Sequence, residues 1–75
     1  MDGQSLKIGS SEGECRALKR SPGAPWTVTT PWGGWRFYGT SEECRYLICA
    51  DINRARERTD KAGRAVIISV EWLRP

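Results

Sequence analysis

The segment from residue 40 to residue 63 constrains the fold most, because it carries a full set of helix signals. Thr40 followed by Glu43 is a capping-box pattern, in which each side chain accepts a hydrogen bond from the other residue's backbone N–H. Gly63 supplies a stop signal. Apolar residues at helical spacing form one stripe along the segment: Cys44, Leu47, Ile48, Ile52, Ala55 and Ala62. The sequence therefore predicts an amphipathic helix over residues 41–62.

Asp51 is the one acidic residue that falls within this apolar stripe. An unpaired carboxylate in an apolar setting costs free energy. We therefore expect Asp51 to reach Arg54 or Arg58, one helical turn or two away, or to lie at the edge of the stripe.

Residues 26–38 predict a β-hairpin, because two β-rich stretches flank Gly33-Gly34, a dipeptide able to take the positive φ of tight turns. With that turn, the opposite positions are Trp32 and Trp35, Thr30 and Phe37, and Val28 and Gly39. Strand alternation then gives an apolar face of Trp26, Val28, Trp32, Trp35 and Phe37, and a polar face of Thr27, Thr29, Arg36 and Tyr38. Pro31 donates no hydrogen bond, so we expect its strand at a sheet edge, a wider loop being the alternative.

Two further strands are predicted on either side of these elements. Residues 14–20 alternate weakly and predict an edge strand. Residues 64–74 are β-branched and apolar on both faces, which favours a central strand or one covered by the N-terminal segment or a partner. Residues 1–13 are polar and rich in Gly and Ser, so we expect them to be loosely ordered, with Leu6 and Ile8 anchoring at most a short strand.

A chain of 75 residues buries only one small core, so we expect a single domain over residues 1–75. The predicted fold is α+β, a small antiparallel sheet of three to four strands packed on one helix in the order β-β-β-α-β. No apolar run is long enough to span a bilayer, and the N-terminus lacks the apolar region of a signal peptide. We therefore expect no membrane partner and a cytoplasmic protein.

Catalytic and metal-binding parts are scarce in this sequence. Cys15, Cys44 and Cys49 are odd in number and the chain has no histidine, so we expect reduced thiols and neither zinc nor any other cofactor. No general base is predictable beside a nucleophile, and helix capping explains Glu42 and Glu43 better than acid–base pairing does. The sequence predicts a protein that is not an enzyme.

Positive charge is concentrated along the helix. The chain carries +3, and residues 54–64 alone hold five cations and two anions. Helical spacing places Arg45 and Arg56 on one side of the apolar stripe, and Arg54, Arg58 and Lys61 on the other. Arginine and exposed aromatic residues are enriched at interface hot spots, although arginine stems also simply cover the rim of a core. The predicted partner-binding residues are Arg36, Tyr38, Arg45, Arg54, Arg56 and Arg58.

Single-stranded nucleic acid is the alternative partner, because aromatic residues interleaved with arginine on a sheet stack bases and hold phosphates. The run Trp35-Arg36-Phe37-Tyr38 has this composition. Its alternation, however, assigns Trp35 and Phe37 to the face that the helix covers, which leaves Arg36 and Tyr38 for solvent. Protein binding by a monomer or weak dimer is therefore the favoured interpretation.

The overall build of the chain resembles small phage or mobile-element accessory proteins of the anti-CRISPR type: one compact α+β domain without histidine, catalytic set or cofactor signature. The resemblance concerns overall character, so no functional residue is carried over. It implies a stoichiometric inhibitor in a bacterial host cell that docks on a nucleic-acid-guided defence complex, a protein or ribonucleoprotein target. Many such inhibitors are acidic DNA mimics, whereas the net charge of +3 points to an acidic surface on the target.

Overall fold

The computed structural model describes residues 3–59 and 63–73, which form a five-stranded antiparallel sheet and one α-helix. In chain order the elements are β1 (Gln4–Ser10), β2 (Gly13–Lys19), β3 (Trp26–Thr30), β4 (Gly33–Phe37), α1 (Ser41–Arg58) and β5 (Ile67–Leu73). Across the sheet the strand order is β4-β3-β2-β1-β5. The predicted α+β class with one helix is confirmed, whereas the order β-β-β-α-β is wrong because a fourth strand precedes the helix.

The additional strand is β1, which lies in the segment that we expected to be loosely ordered. It pairs with β2 through seven residue pairs and with β5 on its other side. Its buried residues alternate in the order Leu6, Ile8 and Ser10. Only two of the three are apolar, so the local sequence pattern is weak, and the strand owes its order to backbone hydrogen bonds with two neighbours.

The positions of two other strands in the sheet also differ from expectation. Because β1 is present, β2 is an interior strand between β1 and β3 rather than an edge. Strand β5 is an edge strand paired with β1 alone, not a central one, and its apolar residues therefore remain largely exposed. The predicted end of this strand at Arg74 lies outside the described residues.

The hairpin of β3 and β4 forms, but its turn is Pro31-Trp32 rather than Gly33-Gly34. Thr30 therefore pairs with Gly33 instead of Phe37, a displacement of four residues along β4. Since four is an even number, every side chain within β3 and β4 keeps its predicted face, whereas Trp32, predicted on the apolar face of the hairpin, lies in the turn. Pro31 lies in the turn, where no backbone donor is needed, and it therefore does not restrict β3 to a sheet edge. Strand β3 is an interior strand, not the predicted edge strand.

The helix begins as predicted and covers one face of the sheet. The Thr40 side chain accepts from the Glu43 backbone N–H at 3.1 Å, and the Glu43 carboxylate accepts from the Thr40 N–H at 3.0 Å. The helix ends at Arg58 with Thr59 as its C-cap, and Ala62, the predicted end, lies outside the described residues. The buried core between helix and sheet comprises Leu6, Ile8, Cys15, Ala17, Trp26, Val28, Cys44, Ile48 and Ile52. The other face of the sheet carries no further element among the described residues.

Candidate functional site

A groove runs between the edge strand β4 and the helix α1. It has a volume of about 240 Å³ and is lined by Trp35, Arg36, Phe37, Leu47, Asp51 and Arg54. We call this set of residues the arginine groove, since one arginine comes from the strand and one from the helix. Its apolar members are only half-buried, so the groove offers partly exposed apolar surface between two cations.

The buried carboxylate of Asp51 ties together the elements that form the groove. Its Oδ2 accepts hydrogen bonds from the indole Nε1 of Trp32 at 3.0 Å and of Trp35 at 3.1 Å. Its Oδ1 lies 3.2 Å from Nη2 of Arg54, which confirms the expected pairing with an arginine one turn away. The Asp51 side chain thus fixes two tryptophans and orients Arg54 at the rim of the groove.

Asp51 is held in its charged form by these partners. Burial by itself raises the pKa of this carboxyl group, but three hydrogen bonds and the positive charge of Arg54 outweigh burial. The resulting pKa lies below the ordinary value of 3.8. At neutral pH the groove therefore contains a carboxylate that is already satisfied and the guanidinium of Arg54 beside it, and the exposed residue Arg36 lines the groove from the edge strand.

The six residues predicted to bind a partner do not form one patch. Arg36 and Arg54 line the same groove. Arg58 follows Arg54 by one helical turn, and Tyr38, 74% exposed, follows Arg36 by two positions in extended chain. Arg45 is exposed on the opposite side of the helix, the side that also carries Arg56. The structure therefore brings two of the six residues, Arg36 and Arg54, together in the groove.

Arg56 is the predicted site residue whose surroundings differ most from expectation. Its Nη1 lies 3.0 Å from Oε2 of Glu12 in the β1–β2 turn, and its Nε donates to the Gly63 carbonyl at 3.3 Å. The Glu12 side chain is only 5% exposed and that of Arg56 only 20%. Arg56 therefore connects the end of the helix to the sheet, and we correct the expectation that its charge is available on the surface.

The aromatic residues of β4 lie on the predicted face of the sheet. Trp35 and Phe37 are half-buried and pack against the core, together with Trp32. Their rings are consequently not arranged as an open platform for stacking bases. On the opposite face, the cations of β1 and β2 have an acidic neighbour, because Glu14 lies 2.8 Å from Arg16 and 3.7 Å from Lys7.

Two of the three cysteines are buried in the core. Cys15 and Cys44 are buried, and burial raises the pKa of each thiol to about 11. Cys49 is partly exposed, and all three are free thiols. Residues 3–59 and 63–73 contain no group of three or more His, Cys, Asp or Glu placed to hold a metal ion. They also contain no helix with the length and apolar character needed to cross a membrane.

Three parts of this arrangement were not predicted: the role of Trp32, the indole bonds to Asp51, and the partner of Arg56. A signal for the indole bonds to Asp51 existed in the sequence, because an acidic residue in an apolar stripe requires hydrogen-bond donors.

Comparisons with protein-family models, with curated proteins and with solved structures found no significant match.

Proposed function

We propose that this protein is a non-enzymatic binding module that docks an acidic surface of a partner protein into the arginine groove. The observation that carries the proposal is that Arg36 of β4 and Arg54 of α1 line one groove together with partly exposed apolar side chains. Arginine flanking apolar and aromatic surface is the composition enriched at the centre of protein interfaces.

Preorganisation supports the same assignment. The Asp51 carboxylate holds Arg54 in place, and Arg36 projects from a strand whose backbone is fixed by its pairing with β3. A side chain that is already ordered loses less entropy when it binds a carboxylate. Because arginine presents a planar fork of donors, two arginines at one groove favour a surface with at least two carboxylates.

A protein partner is favoured over nucleic acid by the positions of the aromatic rings. Stacking of bases needs exposed ring faces, and Trp35 and Phe37 use theirs against the core. In the run Trp35-Arg36-Phe37-Tyr38, which suggested nucleic-acid binding, the exposed residues are Arg36 and Tyr38. An inhibitor of a nucleic-acid-guided defence complex, as in anti-CRISPR proteins, is one form that the proposed function would take.

The test compares two double variants that remove the same charge. Arg36→Glu with Arg58→Glu reverses one cation that lines the groove and one exposed cation a helical turn beyond Arg54, and it spares Arg54, which is bonded to Asp51. Arg20→Glu with Arg45→Glu reverses two exposed cations elsewhere and serves as the matched control. Immobilised protein is incubated with nuclease-treated bacterial lysate, and captured proteins are quantified by mass spectrometry.

We expect the groove variant to lose the wild type's specific protein partner by at least about tenfold, while the control retains it. Equal capture by all three proteins, or loss in the control alone, contradicts the proposal. A second result would also contradict the proposal: the partner is captured from untreated lysate but not from nuclease-treated lysate, and the purified protein binds a fluorescent single-stranded oligonucleotide directly. A defence-complex subunit among the specific partners would support the inhibitor form of the function.

A further inference from the structure

The largest concentration of exposed apolar surface lies far from the arginine groove, at the opposite edge of the sheet. Of the eight large apolar side chains that are exposed in the described part of the chain, five lie between residues 66 and 73. They are Val66 at 60%, Ile67 at 38%, Ile68 at 72%, Trp72 at 40% and Leu73 at 51% exposure. Contiguous exposed apolar surface on a small protein marks an interaction site.

This surface belongs to an edge strand with little protection against pairing. Strand β5 has seven residues, contains neither proline nor a basic residue, and pairs only with β1. Alternate backbone N–H and C=O groups of an edge strand point away from the sheet. The other edge, β4, is shorter, begins with two glycines and carries Arg36, so it has the features that discourage pairing.

We propose that β5 pairs antiparallel with β5 of a second copy of this chain, around a twofold axis that passes between Val70 of one copy and Val70 of the other. In an antiparallel pair, residues directly opposite each other lie on the same face of the sheet. Two identical strands related by a twofold axis therefore pair one residue with its own copy, and the axis passes between these two residues. The register shift against β1 lies between Gly9 and Ser10, at the Ile67–Ser69 end of β5, so residues 69–73 alternate regularly.

The side chains of β5 select Val70 as the centre of this pairing. In that register Val70 lies opposite Val70 of the second copy and Ser69 lies opposite Glu71, so apolar residues meet at the axis and each carboxylate faces a hydroxyl group, while Trp72 reaches the segment of the register shift that contains Ile68. An axis through Glu71 would place two carboxylates directly opposite each other. An axis through Ser69 would place Ile67 opposite Glu71 and leave Trp72 unpaired.

The proposed dimer has a continuous ten-stranded sheet with one arginine groove at each end. Nine strand spacings of about 4.8 Å separate the two β4 strands by about 43 Å, so neither groove is covered. A pairing of this size buries less than the roughly 1,600 Å² of a standard interface. We therefore expect a weak dimer, with a Kd between about 1 and 100 µM.

Sedimentation velocity over about 5 to 500 µM protein tests the dimer directly. We expect the wild type to shift from monomer to dimer, and Ile68→Lys, at an exposed position, to stay monomeric at all concentrations. Leu18→Lys is the matched control, because Leu18 is 44% exposed but lies on the interior strand β2, and it should still dimerise. Circular dichroism verifies that each variant is folded. A wild type that stays monomeric at the highest concentration overturns the proposal.

Two further variants test the register. Ser69→Glu places a second carboxylate opposite Glu71 of the partner copy, and we expect it to weaken the dimer by about tenfold. Ser69→Lys places an ammonium group there and should leave the dimer as tight as the wild type or tighter. Equal effects of the two substitutions would overturn the Val70 register. Neither result depends on the arginine groove, so the two proposals fail separately.

Discussion

The indole N–H of Trp35 donates a hydrogen bond to the Asp51 carboxylate at 3.1 Å, which joins the edge strand β4 to the middle of the helix. Trp32 donates to the same oxygen at 3.0 Å from the adjacent turn. One buried carboxylate therefore satisfies two indoles as well as Arg54, and this explains why an acidic residue occupies the apolar stripe of the helix. The arrangement suggests that stability and the shape of the groove depend on the same side chain.

Replacing Asp51 by alanine should destabilise the protein strongly. Both indole N–H groups lose their acceptor and Arg54 loses its ion pair, which should lower the free energy of unfolding by about 2 to 4 kcal/mol. Asp51→Asn keeps an oxygen acceptor and should cost about half as much. Urea unfolding followed by far-UV circular dichroism measures both values. A cost below about 0.5 kcal/mol for Asp51→Ala would show that the network contributes little.

The pKa of Asp51 also predicts how stability changes in acid. Because the pKa in the folded state lies below the ordinary value of 3.8, the folded protein prefers the carboxylate. The stabilisation is therefore present above the ordinary pKa and is lost as the pH falls through the folded-state pKa. We expect the stability difference between wild type and Asp51→Asn to shrink as the pH is lowered from about 5 to about 2.

Glu43 provides a second, independent contribution to the acid dependence of stability. Its pKa is also lowered, by the hydrogen bond from the Thr40 backbone and then by that with the Thr40 side chain. Glu43→Gln should remove a separate part of the same acid dependence, so the double variant should show both losses added. A stability difference between wild type and Asp51→Asn that stays constant across this pH range would contradict the assignment.

The sequence predicted those elements whose signals are local. The capping box of Thr40 and Glu43 placed the start of the helix, and strand alternation assigned Trp35 and Arg36 to the correct faces even though the hairpin register was wrong. The register error arose because Gly33-Gly34 has the composition of a turn. Gly34 is instead needed where the strands approach, since a Cβ there would lie 2.9 Å from the Val28 carbonyl oxygen.

The two tight turns of the sheet share a pattern that the sequence also contains. Ser10 and Gly13 flank the first turn, and Thr30 and Gly33 flank the second. In each turn the hydroxyl group donates to the glycine carbonyl and accepts the backbone N–H of the residue two positions later. Each glycine has a positive φ, 123° and 141°. Such a Ser/Thr-x-x-Gly pattern would have indicated both turns, and with them strand β1.

This pattern predicts the effect of a glycine substitution. Gly33→Ala should cost about 1 to 2 kcal/mol, because its φ of +141° strains an L-residue although a Cβ there meets no atom within 4 Å. Gly23→Ala is the matched control, since its Cβ also meets nothing within 4 Å and no positive φ is involved. Thermal unfolding by calorimetry compares the two. Equal melting temperatures would show that backbone strain at Gly33 is negligible.

The contacts that the sequence did not reveal are those between distant positions. Arg56 and Glu12 are 44 positions apart, and their meeting depends on β1 being in the sheet at all. Asp51 and Trp32 are 19 positions apart, and their contact requires the correct hairpin turn. Helical spacing alone made Arg56 equivalent to Arg45, so both were assigned to the surface. Only the packing of the helix end against the β1–β2 turn distinguishes them.

The ion pair of Arg56 and Glu12 leads to the last prediction. Arg56→Glu places a second carboxylate beside the Glu12 carboxylate, whose side chain is 5% exposed, and should cost about 2 to 4 kcal/mol. Arg45→Glu makes the same charge change at an exposed position on the same side of the helix and should change stability by less than about 0.5 kcal/mol. Combining Glu12→Arg with Arg56→Glu restores opposite charges and should recover part of the lost stability. Urea unfolding of the wild type, Glu12→Arg, Arg56→Glu and the double variant gives the coupling energy, and full additivity of the two substitutions would contradict a direct interaction.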